Sequence, residues 1–359
     1  LSDWDLSTTT NGGLVATDVV IFTMNDLRMT GSGGPAVDLN GHGRWSLTNI
    51  NVTATSDGIR LDGAEDVSLS NAVIDAGGDG LVARLASGAT WDINEVRISG
   101  SVVGISTMAY SGGGNLTLSN VNVDDSETGL RAAGELNLTF SNGFVNATQE
   151  VGRLSNPTSS IDNITMSSGA YGLTVILGEA NVRDVSITGT SQTLPGSAGV
   201  GIDGGGHLTI NNSDIQVFRC GLEATRYSSV EGDAVTIDQV SHTVHLDHSD
   251  AVFDLISGTN SVIGFDLDGE SSARITNWSG SAYSAELALI ETASILTVRE
   301  GLPFSATSSS PKVDGEGTVE FGAHTSPPVG TFGQNLAISQ LTEMTIHITN
   351  QEGNDIAAV

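Results

Sequence analysis

The sequence predicts an all-β chain wound into a parallel solenoid. Three observations predict it: a polar side chain that returns every 21–28 residues, an aliphatic residue three positions after it, and a glycine nine positions after it. The polar position is held by Asn49, Asn71, Glu95, Asn120, Asn142, Asn163, Asp184, Asn212 and Gln239, at spacings of 22, 24, 25, 22, 21, 21, 28 and 27. The aliphatic position is Val52, Ile74, Ile98, Val123, Val145, Met166, Ile187 and Ile215, with His242 as the ninth member. Gly58, Gly80, Gly104, Gly129, Gly172 and Gly221 hold the third position, each followed by Ile or Leu. The glycine slips to Gly152 in one repeat, and an insertion from Gly189 to Gly199 interrupts another.

Each element follows from this register. Before the polar residue apolar side chains alternate, as in Trp45/Leu47, Val67/Leu69, Trp91/Ile93, Leu116/Leu118, Leu138/Phe140 and Leu208/Ile210, which is a strand with one buried face. The glycine supplies a turn with free φ, and the apolar residue after it opens another strand. A coil of that length stacks on the next at about 4.8 Å, so like residues lie over like residues. The polar column then forms a ladder of amides, and the aliphatic column forms the core. A helical solenoid fails, because glycine returns in nearly every repeat and no segment holds a period of 3.6.

The periodic region spans residues 36–325, with the register loosening beyond Gln239. Residues 1–35 carry strands out of register and read as an N-terminal cap. Glu286 to Leu296 reads equally as a last strand pair or a capping helix. Residues 326–359 read as a linker, Ser326-Pro327-Pro328, followed by the alternating strand Met344 to Thr349. That tail is similar to the opening of an immunoglobulin-like β-sandwich, so the fold class expected is a β-solenoid followed by an incomplete immunoglobulin-like segment. Without an initiator Met or a secretory leader before Leu1, the chain reads as an excised part of a longer protein.

Composition bounds the function. Lys+Arg 13 against Asp+Glu 42 gives a net charge of -29, and Lys312 is the only lysine. Such a surface disfavours nucleic acid, anionic lipid and polyuronate partners. It suits high salt, where screening shortens the repulsion between carboxylates to about 3 Å. The single cysteine, Cys220, excludes an internal disulfide, and no apolar run approaches the roughly 20 residues of a membrane span.

The repeat resembles that of the right-handed parallel β-helix superfamily, the pectate-lyase-like fold, over residues 36–325. The resemblance lies in the repeat and not in a catalytic motif. Gly41-His42-Gly43 matches the Gly-His-Gly of polygalacturonase-like hydrolases, but Asp124-Asp125 follows it instead of preceding it, and no Arg-Ile-Lys run is present. A lyase needs a basic side chain beside clustered carboxylates. Lys312 sits in a serine-rich loop, and Arg60 and Arg131 fall about three turns apart, roughly 14 Å. No catalytic residue is therefore assigned, and no enzymatic activity is expected.

Two kinds of metal site are expectations of the sequence. His245, Asp247 and His248 are ligand types for Zn²⁺ or another transition metal, and the first two share a strand face. Stacked acidic turns would suit Ca²⁺, with Glu65, Asp66, Asp75, Asp79 and Asp124-Asp125 the first carboxylates to consider. No cofactor is required. The sequons at Asn51, Asn115, Asn137, Asn146, Asn211 and Asn277 are glycosylation candidates, whereas Asn163 belongs to the ladder.

Among the superfamily's uses, the non-catalytic cell-surface and adhesin type matches these features. The expectation is an extracellular structural or adhesive protein of a microbial surface, a rigid rod that is displayed or self-assembles as a surface-layer or filament subunit. Its partners would be copies of itself, other surface components or glycans. A carbohydrate-active enzyme or glycan-binding tailspike-type module is the alternative, and it requires a groove with two close carboxylates and exposed aromatics.

Overall fold

The computed structural model describes residues 2–7, 13–281, 283–291, 293–300, 312–322 and 335–340. Thirty strands are joined entirely by parallel pairing, forming a β-solenoid of about 14 turns, with no helix among the described residues. No helix there is long and apolar enough to cross a membrane.

Three faces make each turn. On the first, Trp45, Val67, Trp91, Leu116 and Leu138 are in direct register and point inward. A bend leads to the second face, where Val52, Ile74, Ile98, Val123, Val145 and Met166 stack. After the repeat glycine comes the third face, with Val37, Ile59, Leu81, Ile105 and Leu130 in one column. These columns fill the interior from Met24 to Phe321. The indoles enter the core with partners, Trp45 donating to the Val19 carbonyl at 3.3 Å and Trp91 to that of Ala64 at 3.0 Å.

The polar column marks the bend between the first two faces. From Asn49 through Asn212 its eight members all have φ between 46° and 57°. Asn and Asp tolerate that left-handed conformation best among residues with a Cβ. The side chains point to solvent, and the amide ladder runs in segments. Asn49 donates to Asp26 at 2.8 Å, Asn71 to Asn49 at 2.5 Å, and Asn163 to Asn142 at 2.7 Å. Asn212 donates to Asp184, while Asn120 turns to Asn94 at 2.9 Å, beside Glu95. Exposed amide bonds contribute about 0.5–1.5 kcal/mol each, against about 1.5–3 for each fully buried aliphatic side chain. The core columns hold the stack, and the bend residues aim it.

Several expectations need correction. Gln239 does not belong to this column. The residue opposite Asn212 is Ala234 (φ 52°), because Asn211 pairs with Asp233 and Ser213 with Val235. Gln239 sits in a later bend with Val217 and Asn260 (φ 54°, 62° and 50°). His242 accordingly leaves the aliphatic column, and its place is taken by Ile237, which stacks on Ile215.

The repeat glycine is needed for closeness, not for φ. A Cβ on Gly58 would lie 2.3 Å from Ile74 Cγ2 and 2.5 Å from the Gly80 carbonyl oxygen, and Gly58 has no positive φ. Gly152 is not the slipped member of this column, since it faces Leu130; Val151 stands opposite Gly129.

Residues 13–35 are not an out-of-register cap. Phe22, Met24, Asp26 and Met29 stack on Trp45, Leu47, Asn49 and Val52, and Ser2–Ser7 pairs in turn with the strand Ile21–Ser32. The glycine cue was missing there because Ala36 stands opposite Gly58 after a one-residue irregularity at Thr30/Ser32. Beyond Gln239 the stacking continues, and Glu286–Ile290 and Ile295–Glu300 are strands, not a helix. Ala337–Gln340 pairs in parallel with Thr318–Phe321, so the solenoid passes the boundary at residue 325. Ser326 to Pro328 and Met344 to Thr349, on which the expected linker and immunoglobulin-like segment rest, lie outside the described residues.

One column escaped the sequence reading. Ser228, Ser249, Ser271 and Ser294 are buried one above another between the third and first faces. The N–H of Ser228 donates to the Ser249 hydroxyl at 3.2 Å, that of Ser249 to Ser271 at 3.1 Å, and that of Ser271 to Ser294 at 3.1 Å. A short hydroxyl here satisfies a corner amide that no strand partner reaches.

Candidate functional site

The third face carries the densest chemistry. Its outward column places Glu223, His245 and Asp266 on three successive turns, from the strands Cys220–Thr225, His242–Asp247 and Ile263–Asp268. Strand alternation turns Leu222, Val244 and Phe265 into the core and leaves these three facing outward. Cys220 and His242 form a neighbouring column, and Asp247 and Asp268 another.

His245 bridges two carboxylates. Its Nδ1 lies 3.3 Å from Glu223 Oε1 and its Nε2 lies 3.2 Å from Asp268 Oδ2. Hydrogen bonding to Glu223, with a further contribution from Asp268, pushes its pKa up to about 9 against the opposing effect of burial. His242 Nε2 lies 3.4 Å from Asp266 Oδ2, and burial, followed by Arg219 and His245, holds the His242 pKa below the ordinary histidine value. Burial raises the Asp266 carboxyl to about 6, helped by Asp268. Asp266 Oδ1 is sealed from solvent and has no hydrogen-bond partner. Cys220 Sγ is 3.9 Å from His242 Nδ1, and burial pushes this thiol up to about 12, which makes it a poor nucleophile.

Among the described residues, two groups of three potential metal ligands have donor atoms within 4.8 Å of one another: Cys220, Glu223 and His245, and His245, Asp266 and Asp268. His245 is thus the shared member. Asp247 and His248 belong to neither group; they pair with each other at 2.6 Å instead. Of the expected trio only His245 lies in a donor group, because the grouped side chains come from successive turns, which spacing along one strand cannot reveal.

The acidic turns behave differently. Asp79 stacks on Asp57, whose Oδ1 accepts from the Asp79 N–H at 3.1 Å, while Asp57 holds Arg60 at 2.6 Å. Burial and then Asp57 raise the Asp79 pKa, with Arg131 and Arg60 opposing. Glu65, Asp66, Asp75, Asp79, Asp124 and Asp125 join neither donor group. Arg60 and Arg131 are three turns apart, separated in their column by Val82 and Ser106. His42 is exposed in a turn flanked by Gly41 and Gly43.

All six candidate sequons lie on strands. Asn51, Asn115, Asn137 and Asn277 are exposed, while Asn146 and Asn211 are half-buried. Asn137 donates to Asn115 at 3.0 Å and Asn146 to Asp124 at 2.9 Å. Asn163 is as exposed as the rest of its column.

An open cleft of about 220 Å³ adjoins the histidine cluster, lined by Arg153, Tyr171, Thr174, Asp203, Glu223 and Thr225 among others. Asp203 is already engaged by Arg226 and by the Thr225 hydroxyl, the latter at 2.8 Å. Glu223 therefore belongs both to the cleft and to the His245 cluster.

No family model, curated protein or solved structure matches this chain.

Proposed function

We propose that the chain is a structural rod of the right-handed β-helix type, displayed outside a microbial cell and built to adhere or to assemble with copies of itself into a surface layer or filament. The observation that carries this reading is the parallel stacking of strands into a solenoid of about 14 turns. At the usual strand spacing that is a shaft of about 65–70 Å. Its stiffness comes from core columns that must all shear together for the shaft to bend. A parallel stack ends in strand edges, and an edge left uncovered can add another strand, which supports end-to-end association. The charge of -29 suits an environment where salt screens repulsion between neighbouring rods. An immunoglobulin-like continuation beyond residue 340, N-glycans on the exposed sequons and Ca²⁺ between rods belong to the same reading. Sedimentation velocity and electron microscopy of the purified chain, over a series of NaCl and CaCl₂ concentrations, test it. Concentration-dependent end-to-end oligomers are expected; a strict monomer under every condition contradicts the assembly role.

The second reading, a glycan-binding or carbohydrate-active module, is favoured by the cleft that brings Tyr171 and Arg153 beside Asp203 and Glu223. An aromatic platform with flanking carboxylates suits a neutral sugar. Binding of a neutral oligosaccharide that is lost in Tyr171→Ala supports it, and a blank screen against neutral and acidic glycans removes it.

A further inference from the structure

We propose that His245, Asp266 and Asp268 form a site for one divalent transition-metal ion of the Zn²⁺ type, with Glu223 orienting His245 from behind and His242 flanking Asp266. The site joins two successive turns, His242–Asp247 and Ile263–Asp268.

The geometry argues for it atom by atom. A tetrahedral ion with bonds of about 2.0–2.1 Å holds its donor atoms about 3.3 Å apart. His245 Nε2 and Asp268 Oδ2 are 3.2 Å apart, a separation that one ion can bridge. The donor atoms of His245, Asp266 and Asp268 all lie within 4.8 Å of one another. His245 turns Nε2 toward Asp268 and Nδ1 toward Glu223 on the preceding turn, the latter at 3.3 Å. A histidine whose far nitrogen donates to a carboxylate is the usual arrangement for a metal ligand, since it fixes the tautomer and the ring.

An independent observation points to a cation at Asp266. Asp266 Oδ1 is closed off from water and has no hydrogen-bond partner. A sealed carboxylate oxygen without a partner costs free energy that a bound cation would remove. Glu223, Asp266 and Asp268 bring three carboxylates to the cluster, and Arg219 is the cation close enough to be felt by His242 and Asp266. The His245 imidazole favours a first-row transition metal over Ca²⁺ or Mg²⁺, which prefer oxygen alone.

The test uses the full chain, stripped with chelator and titrated with ZnCl₂ or CaCl₂ alone, with calorimetry and thermal melting as readouts. One equivalent of Zn²⁺ and a raised melting temperature are expected, with no such response to Ca²⁺. His245→Ala and Asp266→Asn should each weaken Zn²⁺ binding by more than the 10–100-fold typical of losing a supporting contact. Asp247→Asn and His248→Ala should leave it unchanged. Co²⁺ loading of the unsubstituted chain needs no variant to fold, and visible bands of histidine–carboxylate coordination are expected. No stoichiometric Zn²⁺ binding, or binding that survives both His245→Ala and Asp266→Asn, would overturn the site. Failure of this site leaves the rod untouched, because the core columns do not depend on it.

Discussion

Asn71 donates its side-chain amide to Asn49 Oδ1, one turn below, at 2.5 Å, and both residues hold a left-handed backbone, with φ of 51° and 57°. The same position therefore serves two purposes, a bend in the chain and a bond between turns. Ala234 takes the bend without any amide, and Glu95 takes it without donating to the next turn, which makes backbone conformation the stronger requirement.

That ranking is measurable. Asn71→Gly should cost about 0.5–1.5 kcal/mol, because it keeps the φ and loses only an exposed bond, whereas Asn71→Val should cost about 1–3 kcal/mol more. Ala234→Gly should raise stability by up to about 1 kcal/mol, since an alanine with φ of 52° is strained. Urea midpoints of the three variants check this. Equal losses for Asn71→Gly and Asn71→Val would make the amide the decisive element.

Gly80 tests the packing argument. A Cβ there would sit 2.2 Å from Ile98 Cγ2 and 2.7 Å from the Gly104 carbonyl oxygen, so Gly80→Ala should cost about 1–3 kcal/mol by overpacking. Gly88 has φ of 70° and open space around it, and Gly88→Asn should be nearly neutral. The comparison is made in denaturant at equal protein concentration. A harmless Gly80→Ala would show that the turns can part to admit a methyl.

The serine column predicts a loss from a conservative change. Ser249→Ala removes the acceptor of the Ser228 N–H inside a closed corner and should cost about 1–3 kcal/mol. Hydrogen exchange at the Ser228 amide should accelerate in the same variant. An unchanged midpoint would mean that water enters the corner and replaces the hydroxyl.

Cys220 supplies a probe of the intact fold. The thiol is 1% exposed and burial raises it to about 12, so it should stay unmodified by alkylating reagents at pH 8 and react promptly in denaturant. Fast labelling of the native chain would place local opening at the third face.

The repeat was legible because stacking imposes one period on three kinds of residue at once. Asn49 to Asn212, Val52 to Ile215 and the glycines from Gly58 onward all report it. The register faltered where a column admits a different residue. Ala234 satisfies the bend without being polar, so polarity alone led to Gln239, five residues further on. Ala36 fills a glycine position, which hides the first turns from a register built on glycine. The histidine cluster was half legible. His245 stood out, but its partners Glu223, Asp266 and Asp268 are 22, 21 and 23 residues away, distances that mean nearness only after the turn length is known. Read at that period, the outward column of the third face spells Glu223, His245 and Asp266 directly.

The central claim is that the turns form one continuous stack, and pulsed electron–electron distance measurements on spin labels test it most directly. Ser68, Asn181 and Arg274 share one exposed column on the first face, five and then four turns apart. In a Cys220→Ala background, labels at Ser68 and Asn181 should lie about 24 Å apart and labels at Ser68 and Arg274 about 43 Å apart, at 4.8 Å per turn. Narrow distributions at those two distances are the predicted result. Broad distributions, or a separation that does not grow with the number of turns, would contradict it.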